Sequence, residues 1–214
     1  MRFFASILSR FSALFSNEVF APIKKEVSVF FTCQSNEQSD NWPLSCPLKF
    51  GKGACLRLHL SSVGDAVGYA MRGGKIYVKG DAGYRAGIHM KEYKDKVPVI
   101  VIGGVAGSFL GEYQAGGIIV VLGLERGDRN IVGHFPCTGM HGGMMYLRGD
   151  LSGIKFPSQV TARKATPEEI DRIKEYVFEY CQLFGYDVNK VLDSSFTVVT
   201  PDSKNPYKQM YVAT

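Results

Sequence analysis

The residues best suited to chemistry are four histidines and five cysteines, and their spacing gives little to either. His134 and His141 bracket the Gly139-Met140 bend, where two imidazoles could share a metal ion, yet no histidine pair has the i, i+4 spacing that puts two ligands on one helical face. Cys33, Cys46, Cys55, Cys137 and Cys181 are odd in number and form no C-x-x-C, so neither a zinc site nor an iron–sulfur site is indicated and reduced thiols are expected. His59 falls on the polar side of an alternating segment and His89 lies near a glycine bend. Asp65, Asp81, Asp128 and Asp150 each adjoin a glycine, the usual setting for a carboxylate that accepts a backbone hydrogen bond in a turn. No G-x-S-x-G nucleophile elbow is present. No catalytic, cofactor-binding or metal-binding residue is assigned.

Two glycine motifs mimic phosphate sites. Gly74-Lys75 fails as a P-loop, with Tyr69 where the first glycine belongs and Ile76 where Ser or Thr belongs. The segment VPVIVIGGVAGSFLG (97–111) sets Gly104, Gly107 and Gly111 after an apolar strand, like a dinucleotide fingerprint that would bind a pyrophosphate on a following helix. The next residues, EYQAGGIIVVLG, favour a second strand and not a helix. A nucleotide-binding oxidoreductase domain is thus the weaker alternative.

The glycines belong to a repeat. Three seventeen-residue frames, GDAVGYAMRGGKIYVKG (64–80), GSFLGEYQAGGIIVVLG (107–123) and GHFPCTGMHGGMMYLRG (133–149), align without gaps. They share Gly64/Gly107/Gly133, Gly73/Gly116/Gly142, Gly74/Gly117/Gly143 and Gly80/Gly123/Gly149. The fifth place holds Gly68, Gly111 and, in the last frame, Cys137. A stretched fourth copy runs from Gly83 through Gly87 to Gly104, with five extra residues near 91–96. Frame starts at 64, 83, 107 and 133 give spacings of 19, 24 and 26. Such a unit is too short for a β-α-β crossover. It suits one turn of a parallel β-helix whose bends need glycine for positive φ and close approach. Ile76 and Val78, Ile119 and Val121, and Met145 and Leu147 are the expected inward pairs.

Of 24 glycines, 21 lie between Gly64 and Gly153, which divides the chain into 1–62, 63–153 and 154–214. In the first part, residues 1–17 could be an amphipathic targeting segment or a docked terminal helix, residues 26–33 and 54–60 read as strands, and residues 34–47 as a loop. In the last part, 154–165 reads as a polar exit. Thr166-Pro167-Glu168-Glu169 is a capping box that opens a helix closed by Gly185, with Ile170, Ile173, Val177, Cys181 and Phe184 on one face. That stripe is expected to pack over the end of the stack as a capping helix. A short helix is expected over 188–192, and 196–212 reads as an extended arm. A net charge of +5 without a basic run gives no reason to expect nucleic acid, and no apolar run is long enough to span a membrane.

The frames, with TGMHGGMMYLRG (138–149) and the tail SKNPYKQMYV (203–212), resemble the GXGXG family: the C-terminal domain of the glutamate synthase large subunit, shared with a β-helical component of formylmethanofuran dehydrogenase. The resemblance covers about residues 63–212, implies a mainly β fold built as a single-stranded right-handed parallel β-helix, and points to a stand-alone form of that domain. It implies a non-catalytic, cytoplasmic structural subunit that holds glutaminase and FMN-binding synthase parts in place, with FMN and an iron–sulfur cluster on those partner subunits and none here. Met1-Arg2 in place of an N-terminal cysteine agrees. A formylmethanofuran dehydrogenase-type complex is the runner-up. Residues 1–62 depart from the family pattern, as a replaced cap or a mis-read coding sequence would. An exposed terminal turn would also favour self-association.

Overall fold

The computed structural model describes residues 30–33, 56–60, 62–149, 151 and 153–202, the first two segments by backbone only. Expectations for 1–17, 34–47 and 203–212 fall outside these residues. The described elements are β1 (Phe30–Cys33), β2 (Leu56–Leu60), β3 (Lys75–Val78), β4 (Val99–Ile102), β5 (Ala115–Val121), β6 (Gly142–Arg148), β7 (Val160–Lys164), α1 (Pro167–Phe184), α2 (Val188–Leu192) and β8 (Phe196–Pro201). The protein is mainly β, with one eight-stranded sheet in the order β1-β2-β3-β4-β5-β6-β8-β7.

Strands β2 to β6 are parallel and neighbour one another in sequence order. Registers such as Ile76↔Ile100, Ile100↔Ile119 and Ile119↔Met145 place one repeat beside the next. A second line of parallel bridges joins Val63, Ala82, Ala106 and Val132, one residue before each frame's first glycine. The extra residues bulge outward: Tyr93 bridges Lys96 across the exposed Lys94-Asp95 turn, and 127–130 are solvent-exposed.

Packing follows from the alternation. Ile76, Ile100, Ile119 and Met145 form one inward column, and Val78, Ile102, Val121 and Leu147 another, every member fully buried. Burying each such side chain contributes roughly 1.5–3 kcal/mol. The opposite strand face carries Tyr77, Val101, Val120 and Tyr146, which pack with Ile173, Val177, Tyr180 and Cys181 of α1. The helix therefore lies along the flank of the sheet and not over its end, a correction to the capping-helix expectation. The physical reason is that this strand face is itself apolar and must be covered. The C-terminal end is instead closed by β8, which pairs antiparallel with β6 and sends Val199 to the interior and Val198 to the helix side.

Helix α1 begins as its sequence dictates. Thr166 Oγ1 accepts the Glu169 N–H, the Glu169 carboxylate accepts the Thr166 N–H, and Pro167 occupies the first turn. Gly185 ends it at φ 76°. Two expectations at this end of the chain change. The polar exit contains β7, and residues 196–201 of the expected arm form β8 between β6 and β7.

Candidate functional site

The corner opposite the helix is built by residues 65–70, 84–89, 108–113 and 134–139. Within each, three residues two apart have positive φ: Ala66, Gly68, Ala70; Arg85, Gly87, His89; Phe109, Gly111, Tyr113; Phe135, Cys137, Gly139. Each segment is a pair of successive turns, closed by bonds such as Tyr69 N–H to the Ala66 carbonyl and Met71 N–H to the Gly68 carbonyl, and its remaining amides reach the neighbouring repeats. The N–H groups of Ala66, Arg85 and Phe109 donate to the carbonyls of Tyr84, Ser108 and His134 one repeat on, at 2.7, 2.9 and 2.8 Å. Ala70, His89 and Tyr113 do the same to Ile88, Glu112 and Thr138. The central residues Gly87, Gly111 and Cys137 donate back to Val67, Ala86 and Leu110. The turns are thus laddered at the corner as well as at the sheet.

Outside this ladder lie two chains of rings. Tyr84 and Phe109 have centroids 5.3 Å apart, and so do Phe109 and Phe135. Tyr69 meets His89 edge-on at 6.2 Å, and His89 stacks on Tyr113 at 5.2 Å. The Arg85 guanidinium lies 4.8 Å from the Tyr84 centroid and 2.8 Å from the nearly buried Glu112 carboxylate. Asp65 is exposed and accepts the Tyr84 N–H at 2.8 Å. Phe135, at 64% exposure, is the most open large apolar side chain among the described residues.

The residues singled out for chemistry disperse. His134 stands exposed beside Phe135, and His141 turns its Nδ1 to its own loop, 3.0 Å from the Gly139 carbonyl oxygen. Among the described residues no three His, Cys, Asp or Glu side chains converge on a metal position. Cys137 is buried with its Sγ 3.6 Å from Met145 Sδ, and desolvation pushes its thiol up to about 12, far from the thiolate needed of a nucleophile. Asp81 bridges repeats, accepting the Val105 N–H at 2.9 Å and pairing with Arg129 at 2.7 Å. Asp128 is exposed on the bulge, and Asp150 and the side chain of His59 lie outside the described residues.

The dinucleotide reading does not survive. Gly111 is followed by β5, so no helix N-terminus faces the glycines. A side chain at Gly107 would meet the backbone of Gly83 at 2.7 Å, and one at Gly104 would strike Asp81. These glycines are occupied by the neighbouring turn, and Gly103 by the Tyr180 hydroxyl, which donates to the Lys79 carbonyl at 2.9 Å. Of the seventeen glycines of the repeat pattern, Gly68, Gly74, Gly87, Gly111, Gly117, Gly123, Gly143 and Gly149 have positive φ. Gly64, Gly73, Gly80, Gly83, Gly104, Gly107, Gly116, Gly133 and Gly142 do not. In that second set, Gly83, Gly107 and Gly133 stand where a Cβ would come within 3 Å of the backbone one repeat back.

Glycine matching between the frames does not reveal the aromatic corner. Aligning their third and seventh places sets Arg85, Phe109 and Phe135 in one column and His89 and Tyr113 in the other. A groove of about 390 Å³ between α1 and α2, floored by Phe178, Val188 and Leu192, likewise has no signal in the repeat pattern. Among the described residues no helix is long and apolar enough to cross a membrane.

The fold and this surface define a repeat protein whose successive units stack through their backbones. A family model described as GXGXG motif matches residues 57–202, and the chain belongs to that family. It is also 47% identical over 137 residues to an uncharacterized protein of Methanocaldococcus jannaschii, MJ1350, a match covering 61% of this chain and 52% of the relative. The chain thus spans about half the length of that relative.

Proposed function

We propose that this chain is a non-catalytic structural subunit of a glutamate synthase-type complex, a stiff spacer holding glutaminase and FMN-binding synthase parts at fixed separation. The observation that carries this reading is the laddering of four consecutive repeats on several sides at once, by strand pairing, by the Val63–Val132 bridges and by the corner bonds. We read the coil as a right-handed parallel β-helix with glycine at many of its bends, advancing about 4.8 Å per turn. A coil whose backbone groups are bonded to the neighbouring turn resists bending, which is what a spacer between two reaction centres requires. Membership of the GXGXG family supports the same assignment.

The test is co-expression with a glutaminase polypeptide and an FMN-binding synthase polypeptide. The expected result is a stable complex through affinity purification and gel filtration, with the isolated chain inert toward glutamine and toward reduction of 2-oxoglutarate with ammonia. Glutamine hydrolysis by the isolated chain, or failure to join either partner, would overturn the reading.

A further inference from the structure

We propose that the aromatic corner is the face on which a partner protein docks, and that the partner's surface there is apolar and uncharged. The proposal rests on the spacer reading above and says which side of the rod is used.

The first support is conformational. Arg85, Phe109, Phe135, His89 and Tyr113 all have φ between 51° and 59°. A bulky side chain is disfavoured there, and glycine or asparagine holds the same backbone at lower cost. The first repeat has Ala66 and Ala70 at these places and the last has Gly139, all with positive φ, so the ladder does not need aromatic rings. Of these rings Phe135 and His89 are exposed and Phe109 and Tyr113 half-buried, and a ring such as Phe135, kept in a costly conformation and turned to solvent, calls for a use outside the fold.

The second support is the make-up of the face. Tyr69, Tyr84 and Phe135 are three of the six large hydrophobic side chains exposed among the described residues. Arg85 pairs through Nε with Glu112 and lies over the Tyr84 and Phe109 rings, so its charge is balanced, and among the described residues the corner has no cationic track of the kind that follows a nucleic-acid backbone. Tyr hydroxyls and imidazoles at the rim can exchange hydrogen bonds with protein.

The third is area. Four turns about 4.8 Å apart and a corner six residues wide offer on the order of 300 Å². A stable pair needs about 800 Å² from each partner, so this face alone is too small for self-pairing. It suits one contact among several in a larger assembly.

The experiment uses the full chain in the co-expressed complex, comparing wild type, the double variant Phe109→Asn/Phe135→Asn, the single variant Phe135→Asn, and Phe178→Ser in the α1–α2 groove. The expected result is a loss of partner affinity of at least about tenfold for the double variant and a smaller loss for Phe135→Asn. Phe178→Ser should stay within about twofold of wild type. The urea midpoint of the free double variant should be unchanged or higher. Should that variant fold poorly, the single substitution at an exposed ring decides alone. Wild-type affinity in both asparagine variants overturns this inference and leaves the spacer reading standing. Failure of the wild type itself to bind overturns both. Self-association by sedimentation, or binding of a single-stranded RNA oligonucleotide, that Phe135→Asn abolishes would assign the face to another occupant and overturn the inference.

Discussion

Both sides of the stack carry aromatic rings, and the described residues cover only one of them. On the sheet flank, Tyr77 and Tyr146 are fully buried beneath α1, and their backbones are ordinary strand. At the corner, Tyr84 and Phe135 face solvent, and Phe109 and Phe135 adopt a conformation that disfavours large side chains. The flank is solved within the chain: Tyr180 reaches Lys79, Lys75 contacts Glu175 and Glu179, and Arg148 Nε donates to the Val191 carbonyl. The corner has a complete backbone ladder and no covering element among the described residues. Aromatic content alone therefore does not tell core from surface. The accompanying backbone does, because burial rewards a ring in a relaxed strand, whereas a ring at positive φ in solvent gains little within the fold.

The strongest way to break this contrast is to uncover the flank. A methyl group at Gly103 would collide with the Tyr180 hydroxyl, which retreats only by moving α1, and with the Lys79 carbonyl, which belongs to the neighbouring repeat's backbone. Gly103→Ala should cost about 3 kcal/mol or more, read as a fall in the urea midpoint. Gly127, with open space around it on the bulge and φ 58°, is the control, and Gly127→Ala should cost about 1 kcal/mol. Equal losses at the two sites would mean that α1 is not clamped at this point. Next in size is Tyr180→Phe. It keeps the buried ring but removes the bond to Lys79, at about 1 kcal/mol. Burial holds the Tyr180 phenol well above its usual range, so its absorbance should not titrate with that of exposed tyrosines until the protein unfolds.

The flank is far more legible in the sequence than the corner, for physical reasons. Inward columns such as Ile76/Ile119 follow from period-two alternation behind a Gly-Gly pair, and Thr166-Pro167-Glu168-Glu169 can do little but start a helix. Tyr180 falls outside the stripe Ile170, Ile173, Val177, Cys181 and Phe184, and its full burial against Gly103 places it inside. β7 is hidden because residues 161–164 are all exposed, so no apolar alternation marks the strand and its pairing depends on β8 arriving from about forty residues away. The corner is hidden by a rule that usually serves well. Positive φ is expected at glycine, and this stack also imposes it on Ala66, Arg85, His89, Phe109 and Cys137, where bonds to the neighbouring repeats override local preference.

Acid sharpens the account of how the flank is anchored. Arg163, followed by the Thr166 N–H, holds the Glu169 carboxyl down at about 2 against an ordinary 4.5. A folded-state value below the unfolded one contributes stability that is complete above the ordinary range and is lost as pH falls from about 4.5 toward 2. Unfolding midpoints of the wild type should therefore drop through that window, and Glu169→Gln should remove this part of the drop. At neutral pH the same substitution should cost somewhat under about 1 kcal/mol, because Arg163 is half exposed and part of the cap remains. Identical acid profiles for the two proteins would show that the start of α1 is not secured by this pair.

The smallest effect has the opposite sign and tests the corner directly. Phe135 has φ 56°, is mostly exposed, and touches Phe109 and His134 only through ring contacts. Phe135→Asn forfeits those contacts and gains a residue that tolerates this backbone, so the isolated chain should be unchanged or stabilised by about 0.5 kcal/mol. At the flank, Tyr146→Asn would bury an amide among Val120, Ile173 and Val177 and should be strongly destabilising. Measuring both by urea titration sets the two faces against each other on one scale. A clear loss of stability in Phe135→Asn would mean that the corner rings hold the turns together, and the distinction between a face built for the fold and one left open would fail.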